Sequence, residues 1–416
     1  MNTRTAEFAA PDTGFFERAG AAVVMAALDK IKNGRLTMAL PDGSVRVFGD
    51  PSSPVRANVA VRRYDFFKRV LLWGDVGFGE AYQAGDFKTD DLTALVRLFI
   101  ENGEAMEVEN TRFALWGKVR NRLRHLLNSN TVSGSRRNIY AHYDLGNEFF
   151  KLFLDPTLMY SCAAFEPGDT LEDAQRRKVN MILDKARIQP GDSVLEIGSG
   201  WGTCAIEAAK RGAKVTTLTI SERQYEFVSE RIKREGFSDK IEVRFCDYRK
   251  AEGAYDKIVS IEMIEAVGHE YLGTFFATCD RLLKPHGLVV IQGITIPDQR
   301  YEAYRRGCDW IQKHIFPGAL LPSLTAMTAA MTANSRLVVE HTENIGIHYA
   351  RTLREWRATL LAKSDQVEKL GFGIEFLRTW DYYFSYCEAG FATRTLGDLQ
   401  LVLTRPNNAR LPGDPK

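Results

Sequence analysis

Glu196, Gly198, Gly200 and Gly202 alternate through the stretch Val194-Leu-Glu-Ile-Gly-Ser-Gly-Trp-Gly202, directly after an apolar run. Glycines at this spacing let a backbone approach a ligand closely, because no Cβ stands in the way. The loop therefore reads as a cradle for a dinucleotide, a phosphate, or a cofactor with no phosphate at all. A phosphate-cradling loop carries Lys and then Ser or Thr after its last glycine, and no Lys follows these glycines. A dinucleotide fingerprint needs glycine at position 203, where the chain has Thr203, and an acid closing the second strand, which ends Leu218-Thr219-Ile220-Ser221. The seven histidines show no H-E-x-x-H spacing, and the six cysteines (Cys162, Cys204, Cys246, Cys279, Cys308, Cys387) form no C-x-x-C pair. Metal catalysis, a zinc site and a disulfide framework have no support in such a pattern. Glu265 stands just past an apolar strand, where it is either a first-turn helix residue or an acid facing the cradle. Cys162 and Tyr349, taken alone, read as buried packing residues.

The elements that must position these groups fall into three zones. From about 138 to 416, strands expected at Ser193–Ile197, Lys214–Leu218, Ile241–Phe245, Lys257–Ser260 and Leu288–Ile291 alternate with helical spacing. Nearly continuous apolar strands between helices predict a mostly parallel sheet covered on both faces, with ligands beyond the carboxyl ends of the strands. A long helical stretch is expected from Tyr301 to Asn334, and a last strand at Leu399–Thr404. Residues 1–110 read as a smaller α+β domain. It has a helix at Ala19–Ile31, two strands joined at Pro41-Asp42-Gly43, a further strand at Ala57–Val61, and helices at Tyr64–Trp73 and Leu92–Ile100. The intervening 111–137 holds seven basic residues and no acid; Trp116, Val119, Leu123 and Leu126 recur at helical spacing beside Lys118, Arg120, Arg122 and Arg124. That pattern is either a solvated basic face on a packed helix or an attraction to an anionic lipid surface.

The pattern acid-x-Gly-x-Gly-x-Gly resembles motif I of the S-adenosylmethionine-dependent methyltransferases. Its flanks are Asn138–Phe150 (NIYAHYDLGNEFF), Tyr160-Ser161-Cys162-Ala163, Leu218–Gln224 (LTISERQ), Cys246–Arg249 (CDYR), Ile258–Gly268 (IVSIEMIEAVG), His314–Gly318 (HIFPG), Glu343–Trp356 and Tyr382–Pro406. Together they resemble the cyclopropane fatty acid synthase family. The resemblance implies a class I methyltransferase fold, Rossmann-like, with the smaller N-terminal domain beside it. It also implies transfer of the methyl of S-adenosylmethionine to a cis double bond of a phospholipid acyl chain, with proton loss closing a cyclopropane ring. Cofactor contacts carry over to Tyr160, Ser161, Glu196, Gly198, Gly200, Trp201, Gly202, Thr219, Gln224, Asp247 and Tyr248. A bicarbonate ion is the base in that family, and its holders carry over to Cys162, Glu265, Tyr349 and the backbone of Ile294. One position departs: Gln292 stands where many bacterial members have histidine. Glutamine donates a hydrogen bond but does not shuttle a proton. That departure leaves open a methylene- or methyl-branched product in place of the ring.

The chain has 416 residues, 45% hydrophobic and 26% charged, with a formal charge of +2. This composition suits a globular protein of two or three domains, and the net charge alone gives no reason to expect nucleic acid. No signal peptide and no run of about 18 apolar residues is seen. The expectation is a cytoplasmic homodimer lying against the inner face of a membrane, with unsaturated phospholipid as partner. Two rivals stay open: a small-amine N-methyltransferase, and a non-enzymatic lipid-binding protein, which is expected to have lost the motif I acid and glycines.

Overall fold

The computed structural model describes residues 14–103 and 145–411. The basic segment 111–137 and the first residues of the NIYAHYD motif lie outside them. The chain forms two compact units, Met1–Leu123 with Gly371–Thr393, and Arg124–Leu370 with Arg394–Lys416.

In the first unit the helix Phe15–Leu28 precedes β1 (Arg35–Ala39), β2 (Val45–Gly49) and β3 (Arg56–Val61). After the helix Asp65–Ala84 come β4 (Phe87–Lys88) and the helix Leu92–Glu101. The sheet order is β2-β1-β3-β4. The expected turn joins β1 to β2, with Gly43 at φ 83° and Ser44 N–H donating to Asp42 Oδ1 at 2.9 Å. The expected helix at Tyr64–Trp73 runs on to Ala84 across a kink at Gly74, which sits at φ 58°. The helix Ile374–Ala392 also packs here. Tyr82 donates to Asp381, Gln83 to Thr379 Oγ1 at 2.9 Å and Thr93 to Glu388 Oε2 at 3.1 Å. Tyr382, Tyr383, Phe384 and Phe391 are buried in that packing. The sequence pattern places this helix within 138–416, whereas its aromatic core belongs to the first unit.

The second unit is built on a seven-stranded sheet: β5 (Ser193–Ile197), β6 (Lys214–Thr219), β7 (Ile241–Phe245), β8 (Tyr255–Ile261), β9 (Leu283–Thr295), β10 (Val338–Asn344) and β11 (Gly397–Thr404). Their order is β10-β11-β9-β8-β5-β6-β7. β5 to β9 pair in parallel, and β11 runs antiparallel to both β9 and β10. Alternate residues divide between two cores, as the period of two of a strand dictates. Leu195, Ile197, Ile258, Val289 and Ile291 join Phe275, Phe276 and Met327 on one face. Val194, Val259, Leu288 and Val290 join Ile182, Leu183, Ala205 and Ile232 on the other. Helices therefore cover both faces, and the carboxyl ends of the parallel strands are left to loops.

The expected helical stretch from Tyr301 to Asn334 is instead three helices, Asp298–Tyr304, Trp310–His314 and Leu324–Asn334. Each restart is capped. Asp309 accepts from Gln312 N–H at 2.7 Å, and Ser323 Oγ accepts from Ala326 N–H at 3.2 Å. Pro317 and Pro322 lie between the last two, where a helix cannot continue.

Candidate active site

Five strand ends converge on one edge of the sheet. β5 ends at Ile197 and hands the chain to Gly198, Gly200 and Gly202, at φ 97°, 48° and 91°. This left-handed region suits glycine and strains other residues. A Cβ built on Gly200 meets no protein atom within 4 Å, so the loop is open at Gly200, while Gly198 and Gly202 pack against Met263 and Val228. Glu196 points back into the sheet and accepts from Thr217 Oγ1 at 2.5 Å. Burial pushes its carboxyl up to about 7, against that bond. At the end of β6, Thr219 Oγ1 donates to Gln224 Oε1 at 3.0 Å, and Ser221 caps the helix Glu222–Arg234. After β7, Asp247 is clasped by Arg249 at 2.6 and 2.8 Å, and Tyr248 packs on Phe275. Burial is the largest influence on Asp247 and pushes its carboxyl up. The Arg249 contacts outweigh it and hold the group below the usual range.

Trp201 is buried against Phe150 at 5.1 Å, with its indole N–H donating to Asn147 Oδ1 at 2.9 Å. Tyr160 lies within the same aromatic group, 5.3 Å from Phe150 and 5.2 Å from Trp356 between ring centroids. Ser161 is fixed at both ends: its carbonyl accepts from Gln175 Nε2 at 2.8 Å, and its hydroxyl pairs with the ammonium of the buried Lys178.

The residues expected to hold the base also come together, around a side chain that the sequence reading did not single out. Glu262 follows β8 directly, at φ 49°, in the conformation that non-glycine residues rarely adopt. Its N–H donates to the Gln292 carbonyl at 2.8 Å, continuing the ladder of β8 on β9. Its carboxylate then receives three donors: Cys162 N–H at 2.8 Å, Gln292 Nε2 at 2.8 Å and Tyr349 OH at 2.6 Å. Glu265 takes the fourth expected donor, Ile294 N–H, at 2.5 Å. Its other oxygen, Oε2, is buried with no hydrogen-bond partner among the described residues. Burial first, then the charge of Glu262, pushes Glu265 up to about 8. The Cys162 thiol is held well above its usual range by burial, then by Asp398 and Glu262. It is no nucleophile at neutral pH.

β11 contributes from the opposite direction. Because it runs antiparallel to β9, its first residues lie beside the last residues of β9: Asp398 opposite Ile294 and Gln400 opposite Gln292. Gln292 Nε2 consequently donates to Asp398 Oδ2 at 2.9 Å as well, and Gln400 Nε2 donates to Gln292 Oε1 at 3.0 Å.

A profile of the family described as Mycolic acid cyclopropane synthetase matches residues 131–401. The chain belongs to that family. Tuberculostearic acid methyltransferase of Mycobacterium tuberculosis (strain ATCC 25618 / H37Rv) is 38% identical over 379 residues, 89% of this chain and 88% of that protein. Cyclopropane-fatty-acyl-phospholipid synthase of Escherichia coli (strain K12) is 34% identical over 356 residues, 84% of this chain and 88% of that protein. The crystal structure of mycolic acid cyclopropane synthase CmaA1 complexed with SAH and CTAB is 32% identical, with a TM-score of 0.61, covering 65% of this chain and 98% of that one. The cyclopropane synthetase family member described here is thus an S-adenosylmethionine-dependent methyltransferase with the class I fold that its motifs imply. The open cradle over Gly200 fits that cofactor.

The donor set does not fit bicarbonate in the same way. Cys162 N–H, Gln292 Nε2 and Tyr349 OH already bond Glu262, and Ile294 N–H already bonds Glu265. The signal for Glu262 was in the sequence: a second acid, three residues before Glu265, at the end of an apolar strand.

Among the described residues no group of three or more His, Cys, Asp or Glu could hold a metal, and no helix is long and apolar enough to cross a membrane.

Proposed function

We propose that this enzyme methylates the cis double bond of an unsaturated acyl chain in a phospholipid, and that the Glu262 carboxylate accepts the proton then lost. When bound, S-adenosylmethionine supplies an electrophilic methyl group. The π pair of the alkene forms the new carbon–carbon bond as the sulfur–methyl bond breaks, leaving a cation on the neighbouring carbon. A C–H bond of the added methyl then breaks and its electron pair neutralises the cation, while the proton goes to Glu262. If this happens at once, a cyclopropane ring closes. If a hydride first moves between the two former alkene carbons, the same proton loss gives a methylene branch.

The observation that carries the reading is the trio of donors, Cys162, Gln292 and Tyr349, that fixes one carboxylate at the head of β8 and β9. Such a group can serve as a built-in base, and Met263, the residue that follows it, packs against Gly198 of the cofactor loop. The methylene-branched product is the reading favoured over the ring. Gln292 stands where many bacterial members of the family have histidine, and the 38% identical relative is named for methyl transfer. Membrane attachment through 111–137 and a homodimer belong to the same proposal.

The test is turnover of trideuteromethyl-labelled S-adenosylmethionine with vesicles of an unsaturated phosphatidylglycerol, with acyl chains read by mass and NMR. Two retained deuteriums at an exocyclic methylene are expected; cyclopropane signals would restore the ring reading. Glu262→Gln is expected to lower kcat by about 10²–10⁴-fold. Full turnover by that variant, or a wild-type rate that vanishes when bicarbonate is stripped from the buffer, would remove Glu262 as the base.

A further inference from the structure

Two buried carboxyl groups, Glu265 and Asp398, and the buried ammonium of Lys178 lie at this edge of the sheet with the half-buried Glu262. Glu265 already keeps its proton at neutral pH, being pushed up to about 8. Glu262 and Asp398 both ionised beside the one Lys178 cation would still leave an uncompensated negative charge, which is resolved by keeping one of the two neutral. The geometry points to one in particular. Glu262 receives three donors, whereas Asp398 receives a single side-chain donor, from Gln292. Asp398 Oδ1 is buried with no donor among the described residues, although the carboxyl group lies in hydrogen-bonding range of Glu262. Two carboxyl oxygens are both acceptors, so only a proton held between them joins them. Lys178 acts on Asp398 through its charge, and its one side-chain hydrogen bond among the described residues is to Ser161.

The other neighbours do not supply the proton. β9 presents the amide of Gln292, β10 presents Asn344, whose Oδ1 accepts from Asp398 N–H at 3.3 Å, and the Cys162 thiol, which is also in reach of Asp398, points at the carbonyl oxygens of Ala163 and Ile345. Glu265 lies across the cluster, and Tyr349 is spent on Glu262.

We propose that Asp398 and Glu262 form a carboxyl pair that holds one proton between them, with Asp398 as its carrier, so that Glu262 remains the acceptor for the proton lost from the substrate. Gln292 is the clamp of this pair. Its amide has two hydrogens, one within reach of each carboxyl, at 2.8 and 2.9 Å. It can neither give up nor take a proton, so the capacity for a second proton at this site rests with Asp398, a positioning residue. After turnover the pair holds two protons and is neutral, and release of one to solvent restores it. Burial, and then the charge of Glu262, holds Asp398 well above the usual carboxylate range, in keeping with this arrangement.

This inference rests on the reading of Glu262 as base, and the experiment separates the two. The full-length protein is labelled with carbon-13 at aspartate Cγ and titrated by NMR, as wild type, Asp398→Asn and Glu262→Gln. One carboxyl resonance is expected to remain protonated through neutral pH in the wild type and to be missing from Asp398→Asn. In Glu262→Gln it should titrate at least about one pH unit lower, because the neighbouring charge is gone. Asp398→Asn should bind S-adenosylmethionine as the wild type does, with kcat about tenfold lower and KM for vesicles within about twofold. An Asp398 carboxyl that is ionised at neutral pH, or one whose titration ignores Glu262, overturns the pair. If Asp398→Asn does not fold, comparison of wild type with Glu262→Gln still identifies the resonance, as the aspartate that moves. An inactive Glu262→Gln whose aspartates all titrate as in the wild type leaves the base standing and removes the pair alone. A fully active Glu262→Gln removes the base itself.

Discussion

Replacing Glu265 by Gln should stabilise this protein at alkaline pH. The side chain is buried beside Ile294, with one oxygen bonded to a backbone N–H and the other without a partner among the described residues. Gln keeps the acceptor for Ile294 and removes the charge. Folding raises the carboxyl from 4.5 to about 8, through burial and then through Glu262. At about 1.4 kcal/mol per pH unit, that difference corresponds to about 3–5 kcal/mol. The sign follows from proton binding: between the two values the folded state holds a proton that the unfolded state has released. The stability contribution is therefore fully present below about 4.5 and is lost as pH rises to about 8. Wild type and Glu265→Gln should be nearly equal at about pH 4 and should diverge above it, with the variant ahead by about 3–5 kcal/mol at about pH 9. The assay is urea denaturation at a series of pH values, read as the difference between the two proteins. Other buried acids, Glu196 among them, contribute pH dependence to both proteins and largely cancel in that difference. A difference that stays constant from about pH 4 to pH 9 would refute the argument, because Glu265 would then have the same proton affinity folded and unfolded.

Gly200→Val should abolish S-adenosylmethionine binding in calorimetry while the fold persists, since the branched side chain fills the open cradle and must adopt φ 48°. Tyr349→Phe removes the 2.6 Å donor to Glu262 and should lower kcat by about 10–100-fold, the effect of about 1.5–3 kcal/mol for a bond to a charged group. Unchanged kcat would show that the bond does not hold the base in place. Vesicle binding should rise with anionic lipid, weaken with salt, and fall when Lys118, Arg120, Arg122 and Arg124 are replaced by Gln. Sedimentation that ignores both variables would leave that segment as a solvated face.

The sheet was legible in the sequence because its strands are short apolar runs at regular intervals. Ser193–Ile197 and Ile241–Phe245 match to the residue, and the others lengthen by a few positions at their ends. The glycine loop was legible for the same local reason. Periodicity failed where the fold overrode it. The apolar spacing of 301–334 hid two chain breaks, and the aromatics of 374–392 gave no sign of which unit they would enter. At the site, Cys162, Gln292, Ile294 and Tyr349 were found as positions but not as a geometry. What joins them is Glu262, whose meaning depends on the left-handed φ after β8. Asp398 and Lys178 are brought in by the antiparallel return of β11 and by a helix upstream of β5. No spacing rule links residues 178, 262 and 398.

The excursion of 371–393 into the first unit bears on how the enzyme comes to exist during synthesis. β11 is an interior strand, flanked by β9 and β10, yet the ribosome makes it after the chain has left the second unit and come back. Until residue 404 has emerged, β9 and β10 have an open gap between them, and Gln292 has neither Asp398 nor Gln400 to bond. The nascent catalytic unit reaches the last of its expected cofactor contacts, Tyr248, long before it can assemble its proton-handling groups. A stalled or prematurely ended chain would therefore carry its cofactor-facing residues with no competent base arrangement beside them. It would also present two unpaired strand edges, the feature that drives chains to associate with one another.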